Sequence, residues 1–307
     1  MNTVVVTGGA GFIGSHLVRR LASLGSQVHV IDNLSTGRAE KVPAEAVLHT
    51  LDIRSPDAYK MIVSIQPDVV VHLAAQADVQ QSIRDPFLDM DINIGGTLNI
   101  LNACREAKVR KFIFASTSGV YGNLQKDIMT ESDPTLPISF YGLSKLTGEQ
   151  YIRLYTSLFG LSHAILRFAN VYGPGQTAKG EGGVVAIFMD RIHHDRQLVV
   201  NGDGNQTRDF IYVKDVVEAL IAASSHPEDL TLHVSTGKAA TVNDLVSFLR
   251  KFHSRQIHVQ HGPDKSGDIR HSCLSNQAIQ RKLLWKPVYS LEQGLQETYR
   301  SFIVGSQ

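Results

Sequence analysis

The sequence predicts an α/β protein: a doubly wound parallel sheet joined to a smaller, discontinuous second α/β domain. Three observations carry this reading. Short, near-continuous apolar runs alternate with helical patterns through the first half of the 307-residue chain, and strands apolar on both faces belong to a parallel sheet covered on both sides. A glycine-rich turn joins the first apolar run to the first helical pattern. Beyond residue 172 the alternation gives way to shorter, less regular segments.

Taken in order, the expected strands are 2–7, 27–32, 46–52, 68–74, 111–117 and 163–170, with helices near 12–24, 56–65, 89–107 and 141–159. The stretch 173–183 holds five glycines and one proline, a composition that reads as a mobile loop beside a site. A helix near 184–194, a short strand at 197–200 and the run Arg208-Asp209-Phe210-Ile211-Tyr212-Val213 follow, and 232–236 reads as a strand returning to the main sheet. The expected division is 1–172, with a returning strand near 231–237, and 173–307. No internal repeat or low-complexity segment interrupts it.

Composition narrows the function classes. With 43% hydrophobic residues and a formal net charge of +1, nothing draws the chain electrostatically to nucleic acid or an anionic membrane. No apolar stretch approaches the ~20 residues needed to span a bilayer. The sequence opens directly on a strand, so no signal peptide is expected. Cys104 and Cys273 lack ligand-like spacing and fit reduced, buried thiols of a cytoplasmic protein. His193-His194-Asp195 invites a metal reading, but adjacent helical side chains point about 100° apart and cannot share one ion. No metal is expected.

The glycine turn is the first chemical signal. Val4-Val5-Val6 leads into Gly8-Gly9-Ala10-Gly11-Phe12-Ile13-Gly14, then a helical pattern at Ile13, Leu17, Leu21 and Leu24. Gly8 and Gly11 permit a tight turn and let backbone N–H groups approach a pyrophosphate at the helix N-terminus, while Gly14 lets the helix pack closely on the sheet. The spacing is G-x-x-G-x-x-G, a variant of the usual dinucleotide fingerprint. Val28-His29-Val30-Ile31 ends in Asp32, placed to accept hydrogen bonds from ribose hydroxyls and to repel a 2′-phosphate. That favours NAD over NADP, with Arg38 the one nearby residue arguing otherwise.

Tyr141 and Lys145 form the second signal. Four residues apart on an expected helix, they share one face, and a nearby cation lowers a phenol pKa toward a value useful for proton transfer.

Together these residues resemble the extended short-chain dehydrogenase/reductases, in particular the nucleotide-sugar epimerase branch typified by UDP-glucose 4-epimerase. The resemblance spans essentially the whole chain. Its carriers are Thr7 to His16, Asp32-Asn33-Leu34-Ser35-Thr36-Gly37, Leu51-Asp52-Ile53, His72-Leu73-Ala74-Ala75-Gln76, Tyr141 with Lys145, and Arg167-Phe168-Ala169-Asn170-Val171-Tyr172-Gly173-Pro174. It implies a Rossmann-type NAD domain whose cofactor contacts include Gly8, Gly11, Phe12, Ile13, Gly14, Asp32, Asn33, Ser35, Thr36, Gly37, Asp52, Ile53, Leu73, Ala74, Ala75, Gln76, Asn93, Tyr141, Lys145 and Phe168.

It also implies the chemistry. Tyr141 would take the proton of a sugar 4-hydroxyl while hydride passes from C4 to the nicotinamide. Lys145 would hold the nicotinamide ribose and depress the tyrosine pKa, and Thr117 would supply the hydroxyl completing the triad. The 4-keto sugar would then turn over and take the hydride on its other face, so NAD is regenerated. Relatives that eliminate water carry an Asp-Glu pair after the threonine; here those positions are Ser118 and Gly119, which disfavours dehydration. Uronate epimerases tend to place an arginine in or after the Tyr-Gly-Pro loop; here Gly175-Gln176-Thr177 precede the first cation, Lys179. A uronate epimerase, or another dehydratase or reductase of the family, stays as the alternative, and a non-catalytic nucleotide sensor as the remote one.

For the nucleotide sugar, a UDP-hexose, the resemblance implies contacts from Thr117, Ser118, Tyr141, Asn170, Val184, Val185, Val199, Asn201, Arg208, Lys265, Asp268 and Ser272. Arg208 suits a diphosphate, and Lys265 stands where the family usually has a second arginine. Ser272 occupies the place of a bulky aromatic that excludes N-acetyl groups, so UDP-GlcNAc and UDP-GalNAc are expected substrates beside UDP-glucose and UDP-galactose. A homodimer is implied through helices 89–107 and 141–159.

Overall fold

The computed structural model describes residues 2–178, 182–263 and 270–304. Chain order begins β1 (Thr3–Thr7), α1 (Phe12–Ser23), β2 (Gln27–Asp32), β3 (Ala46–Thr50), α2 (Pro56–Ile65) and β4 (Val69–His72). Then come α3 (Val79–Arg84), α4 (Pro86–Met90), a π-helical segment Asp91–Gly96, α5 (Thr97–Glu106), β5 (Lys111–Thr117), a 3-10 turn Ser118–Tyr121, α6 (Phe140–Phe159) and β6 (His163–Phe168). β7 (Asn170–Tyr172), α7 (Val184–His193), β8 (Leu198–Asn201), β9 (Thr207–Tyr212), α8 (Val213–Ser225) and β10 (Leu230–Val234) follow. The last elements are β11 (Ala239–Thr241), α9 (Val242–Phe252), β12 (Val259–Gly262), β13 (His271–Ser272), α10 (Gln277–Leu283) and α11 (Leu291–Val304).

β1 to β6 and β10 form a seven-stranded sheet in the order β10-β6-β5-β4-β1-β2-β3. β1 pairs in parallel with both β2 and β4. The order reverses between β1 and β4, and in such sheets the crevice beyond the strand C-termini at that switch is where ligands bind. Val5, Ile31, Val70, Phe112 and Ile165 from the strands meet Ile62, Leu101, Cys104 and Ile152 from helices on one face of the sheet. Each such side chain contributes about 1.5–3 kcal/mol through burial.

Local signals fix the helix starts. Ser55 caps α2, accepting from Ala58 N at 3.1 Å, with Pro56 in the first turn. Asp78 and Asp85 cap α3 and α4, and Ser139 caps α6. The single helix expected over 89–107 is a continuous right-handed path whose hydrogen bonding changes: Met90, Gly96 and Thr97 all keep αR angles, but Asp91–Gly96 is π-helical. α3, which the sequence reading omitted, precedes it.

By contacts the chain divides into two units: residues 1–122, 134–167 and 217–232, then 123–133, 168–216 and 233–307. The division thus falls after Arg167 rather than after Tyr172. In the second unit, β9 lies between β11 and β13 and also pairs with β7, while β8 and β12 form a separate parallel pair. The 123–133 segment belongs there because Met129 donates to Cys273 O at 2.9 Å and accepts from Ser275 N at 2.7 Å. Trp285, the chain's one tryptophan, is 7% exposed and gives its indole N–H to Asp215 O at 3.1 Å. The Asp215 carboxylate accepts from Val288 N and Tyr289 N.

Candidate active site

The glycine turn is built by two close approaches. Gly8 has φ +71°, a conformation L side chains rarely adopt, and a Cβ there would lie 2.7 Å from Ala74 N. A Cβ on Gly14 would lie 2.1 Å from Gly8 O, so only glycine lets α1 sit against the turn. Gly11 differs from expectation: its φ of −77° is open to any residue, and it acts as the N-cap of α1, donating its N–H to Gly8 O at 3.1 Å. No side chain caps α1, which leaves its first N–H groups, at Phe12 and Ile13, for an anion.

Asp32 is 7% exposed, and its carboxylate is braced on both sides: Ala10 N donates to Oδ2 and Leu34 N to Oδ1, each at 2.9 Å. A Cβ on Gly37 would lie 2.8 Å from Oδ1, so the Ser35-Thr36-Gly37 turn wraps the acid. The Arg38 side chain is exposed and stands 4.0 Å from Glu40. Asn33 gives its amide to Asp52 Oδ2 at 2.9 Å, and Arg54 bridges Asp52 and Asp91. Hydrogen bonding from Arg54 holds the Asp52 carboxyl well below the usual carboxylate range. Ile53, also buried, packs where Gly96 has no side chain. Leu73 N and Ala74 N both donate into Thr7, at its carbonyl (3.1 Å) and its hydroxyl (3.3 Å), so the Leu73-Ala74-Ala75 segment is tied to the glycine turn. These cradles and acceptors fit a dinucleotide: a bare helix N-terminus for pyrophosphate, and a desolvated acid with lone pairs left for ribose hydroxyls.

His72 ties the same turn to the π-helical segment. It is fully buried, with Nδ1 2.7 Å from Thr7 Oγ1 and Nε2 3.1 Å from Thr97 Oγ1. Thr97 spends its own hydroxyl proton on Asn93 O at 2.6 Å. It must therefore accept from Nε2–H, which assigns one neutral tautomer. Burial, reinforced by the Lys145 ammonium, pushes the ring's pKa down to about 3.

Tyr141 lies in the first turn of α6 and Lys145 one turn on. Lys145 is 3% exposed, its ammonium 4.7 Å above the Phe114 ring. Gly142 lets α6 approach the end of β5, since a Cβ there would lie 2.7 Å from Gly119 O. Thr117 sits at that same strand end and accepts from Gly119 N at 3.0 Å. Ser118 opens the 3-10 turn. The three expected catalytic residues thus gather where α6 meets β5.

Two residues expected to face cofactor are largely committed to the protein. Asn93, 2% exposed, accepts from Gln76 N and donates to Gln76 O, both at 2.9 Å. The Gln76 amide in turn reaches Asp89 Oδ1 at 3.1 Å and Asp78 O at 3.0 Å. They brace the site's frame.

α6 itself is anchored by a buried ion pair the sequence reading missed. Arg167 donates to both oxygens of Glu149, which also accepts from Ser116 Oγ at 2.6 Å and Arg153 at 3.1 Å. Burial would raise the Glu149 carboxyl, but the Arg167 guanidinium outweighs it and leaves it below its ordinary value. Arg167 also donates to the Tyr121 hydroxyl at 2.6 Å. Only the four-residue step from Lys145 to Glu149 could have hinted at this, by placing the acid on the same helix face.

In the second unit, Arg208 and Ser272, 64 residues apart in sequence, become register partners in adjacent parallel strands β9 and β13. Asn170 opens β7 opposite Phe210, and Phe168 ends β6 with 6% exposure. Val184 and Val185 are the first residues of α7, another helix without a side-chain cap, and the Val185 side chain is buried. Val185 therefore has only its backbone to offer a ligand. Val199 and Asn201 lie on β8, where Asn201 O accepts from the Gln206 amide at 3.1 Å. Lys179, Lys265 and Asp268 lie outside the described residues. The His193 and His194 rings are perpendicular at 86°.

A parallel sheet with an uncapped glycine turn, a braced acid at the end of β2 and a Tyr-x-x-x-Lys pair whose lysine is buried defines a dinucleotide-dependent enzyme of the short-chain type. Residues 4–234 match the model of the NAD dependent epimerase/dehydratase family, and the chain belongs to that family; its cofactor is NAD. It is 36% identical over 310 residues to the UDP-glucose 4-epimerase of Mycolicibacterium smegmatis, covering 99% of each chain. The crystal structure of UDP-glucose 4-epimerase from Thermotoga maritima with UDP-glucose superposes with a TM-score of 0.95 at 39% identity, over 99% of this chain and 100% of that one. The UDP-N-acetylglucosamine 4-epimerase of Methanobrevibacter ruminantium, in complex with UDP-N-acetylmuramic acid, gives 0.94 at 34% identity and 99% of both chains. Among the described residues no helix is long and apolar enough to cross a membrane.

Proposed function

We propose that this protein is an NAD-containing UDP-hexose 4-epimerase, an isomerase of UDP-glucose and UDP-galactose. The observation that carries the reading is the packing of α6 on the end of β5, which gathers Tyr141, Lys145 and Thr117 while Ser118 and Gly119 supply no acid pair for elimination. Bound NAD supplies the hydride acceptor, and later the hydride donor, at the sugar carbon. Tyr141 takes the proton of the 4-hydroxyl and returns it to the oxygen after the 4-keto sugar has presented its other face. Lys145, desolvated beside Phe114, stabilises the phenolate. The Thr117 hydroxyl, fixed by its turn, orients the sugar oxygen. Gly8, Asp32, Asp52 and their neighbours are proposed cofactor contacts, and Arg208, with Asn170, Val184, Val185, Val199 and Asn201, the nucleotide-sugar contacts. A small buried Ser272 beside Arg208 favours acceptance of N-acetyl sugars, and the resemblance to a UDP-N-acetylglucosamine 4-epimerase agrees with it.

The protein is further read as a cytoplasmic homodimer acting in galactose metabolism. Leu154 and Leu158 of α6 are 53% and 67% exposed, and Phe87 of α4 is 78% exposed, whereas Leu101 of α5 is spent on the parent core. The exposed set suits a second copy of the chain. The test of function is NMR of the purified protein with UDP-galactose, UDP-GalNAc or UDP-galacturonate and no added reductant. Conversion of either of the first two, lost in Tyr141→Phe, supports the reading. Turnover of the uronate alone overturns it in favour of a uronate epimerase.

A further inference from the structure

Asp89 is a buried carboxylate, 1% exposed, that the proposed chemistry does not use. It ends up beside the site because the π-helical segment follows α4 directly and turns Asn93 toward the same spot. Asp89 Oδ1 accepts from Asn93 Nδ2 at 3.0 Å and from Gln76 Nε2 at 3.1 Å. Both donors are uncharged. The Ser144 hydroxyl, 3% exposed, is 3.1 Å from Asn93 Nδ2 and 3.0 Å from Tyr141 O. The carboxylate is thereby linked to α6 between its two reactive side chains.

The charged groups on the surrounding elements are otherwise engaged. Asp78 caps α3 and stands 3.9 Å from Arg84. Asp85 caps α4, Asp91 takes Arg54, and Glu149 takes Arg167. His72 on β4 is held neutral. The positive field at Asp89 comes from Lys145, and burial, its strongest influence, lifts its carboxyl above the ordinary value.

We propose that Asp89 is a positioning residue for the proton-transfer pair: its carboxylate orders Asn93, and through it Ser144, against α6 and supplies the negative charge that tempers the pull of the Lys145 ammonium on the Tyr141 phenol. The inference rests on Tyr141 and Lys145 acting as proposed above. A carboxylate at this depth interacts through low dielectric, so removing its charge while keeping its shape leaves Lys145 acting on the phenol unopposed.

The test is Asp89→Asn in NAD-loaded protein, read in two ways: the acid limb of kcat/KM for UDP-galactose, and an ultraviolet difference titration of the Tyr141 phenol with Tyr141→Phe as the blank. Both are expected to move toward acid by about one pH unit. An unmoved phenol titration overturns the proposal, even if activity falls, because a merely structural brace would lower kcat without shifting it. Should the asparagine variant not fold, Asp89→Ser serves, with the same direction expected. The phenol titration needs no turnover. A wild-type protein inert toward every nucleotide sugar would therefore sink the epimerase reading while the titration still decided this one.

Discussion

Arg167 grips Glu149 with two parallel hydrogen bonds, Nε to Oε1 at 2.8 Å and Nη2 to Oε2 at 2.6 Å, about two helical turns beyond Tyr141 on α6. Both partners are almost wholly buried, at 3% and 0% exposure. The pair fixes α6 to β6, and Ser116 joins it to β5. Removing one partner strands the other charge. Glu149→Ala is expected to cost about 3–5 kcal/mol in urea unfolding, and a loss under about 1 kcal/mol, the range of an exposed pair, would contradict this account.

Asp32 accepts a backbone N–H on each carboxylate oxygen. In Asp32→Asn one of those oxygens becomes an NH2 facing a donor, a mismatch worth about 1–3 kcal/mol. NAD retention after gel filtration, read by absorbance and mass spectrometry, should fall sharply with little change in secondary structure. Undiminished retention would show that the acid does not hold the ribose.

His72 makes stability depend on acid. The unfolded ring binds a proton near pH 6.5, whereas the folded ring stays neutral down to about pH 3. Its folded value is depressed, so its contribution is complete above the unfolded value and is lost as pH falls through the folded one, with a slope of about 1.4 kcal/mol per pH unit between them. Urea midpoints measured across that window should fall more steeply for wild type than for His72→Gln. Parallel curves would refute the assignment.

Arg208 and Ser272, side by side in β9 and β13, make a paired test of the second unit. Arg208→Met should raise KM for UDP-galactose about 10- to 100-fold, the worth of a charge-assisted phosphate contact, with kcat less affected. Ser272→Tyr should spare UDP-galactose while suppressing UDP-GalNAc. Equal losses on both sugars would mean that position 272 does not face the N-acetyl group.

Most of the first half of the fold was legible because its strands and longer helices carry local signatures: apolar strands, Ser55-Pro56, the glycine turn, and Ser139 before α6. The pairing of Tyr141 with Lys145 needed only helical periodicity. What stayed hidden depends on contacts distant in sequence. The π-helical segment has no compositional mark, since Asn93 and Asp89 look like ordinary polar helix residues until Gln76 and Ser144 close around them. The two-residue β13 is too short for any alternating pattern, and its adjacency to Arg208 arises from sheet register alone. α3 was readable in principle, from Asp78 as a cap and Pro86 soon after its end.

The lone Trp285, sealed against Asp215 within the second unit, gives the protein a built-in optical label. Its fluorescence reports the integrity of that unit alone, while the first unit, with no indole, stays dark at the same excitation. Chemical unfolding followed by tryptophan emission and by far-ultraviolet circular dichroism would therefore resolve whether the two halves melt as one cooperative body or in succession.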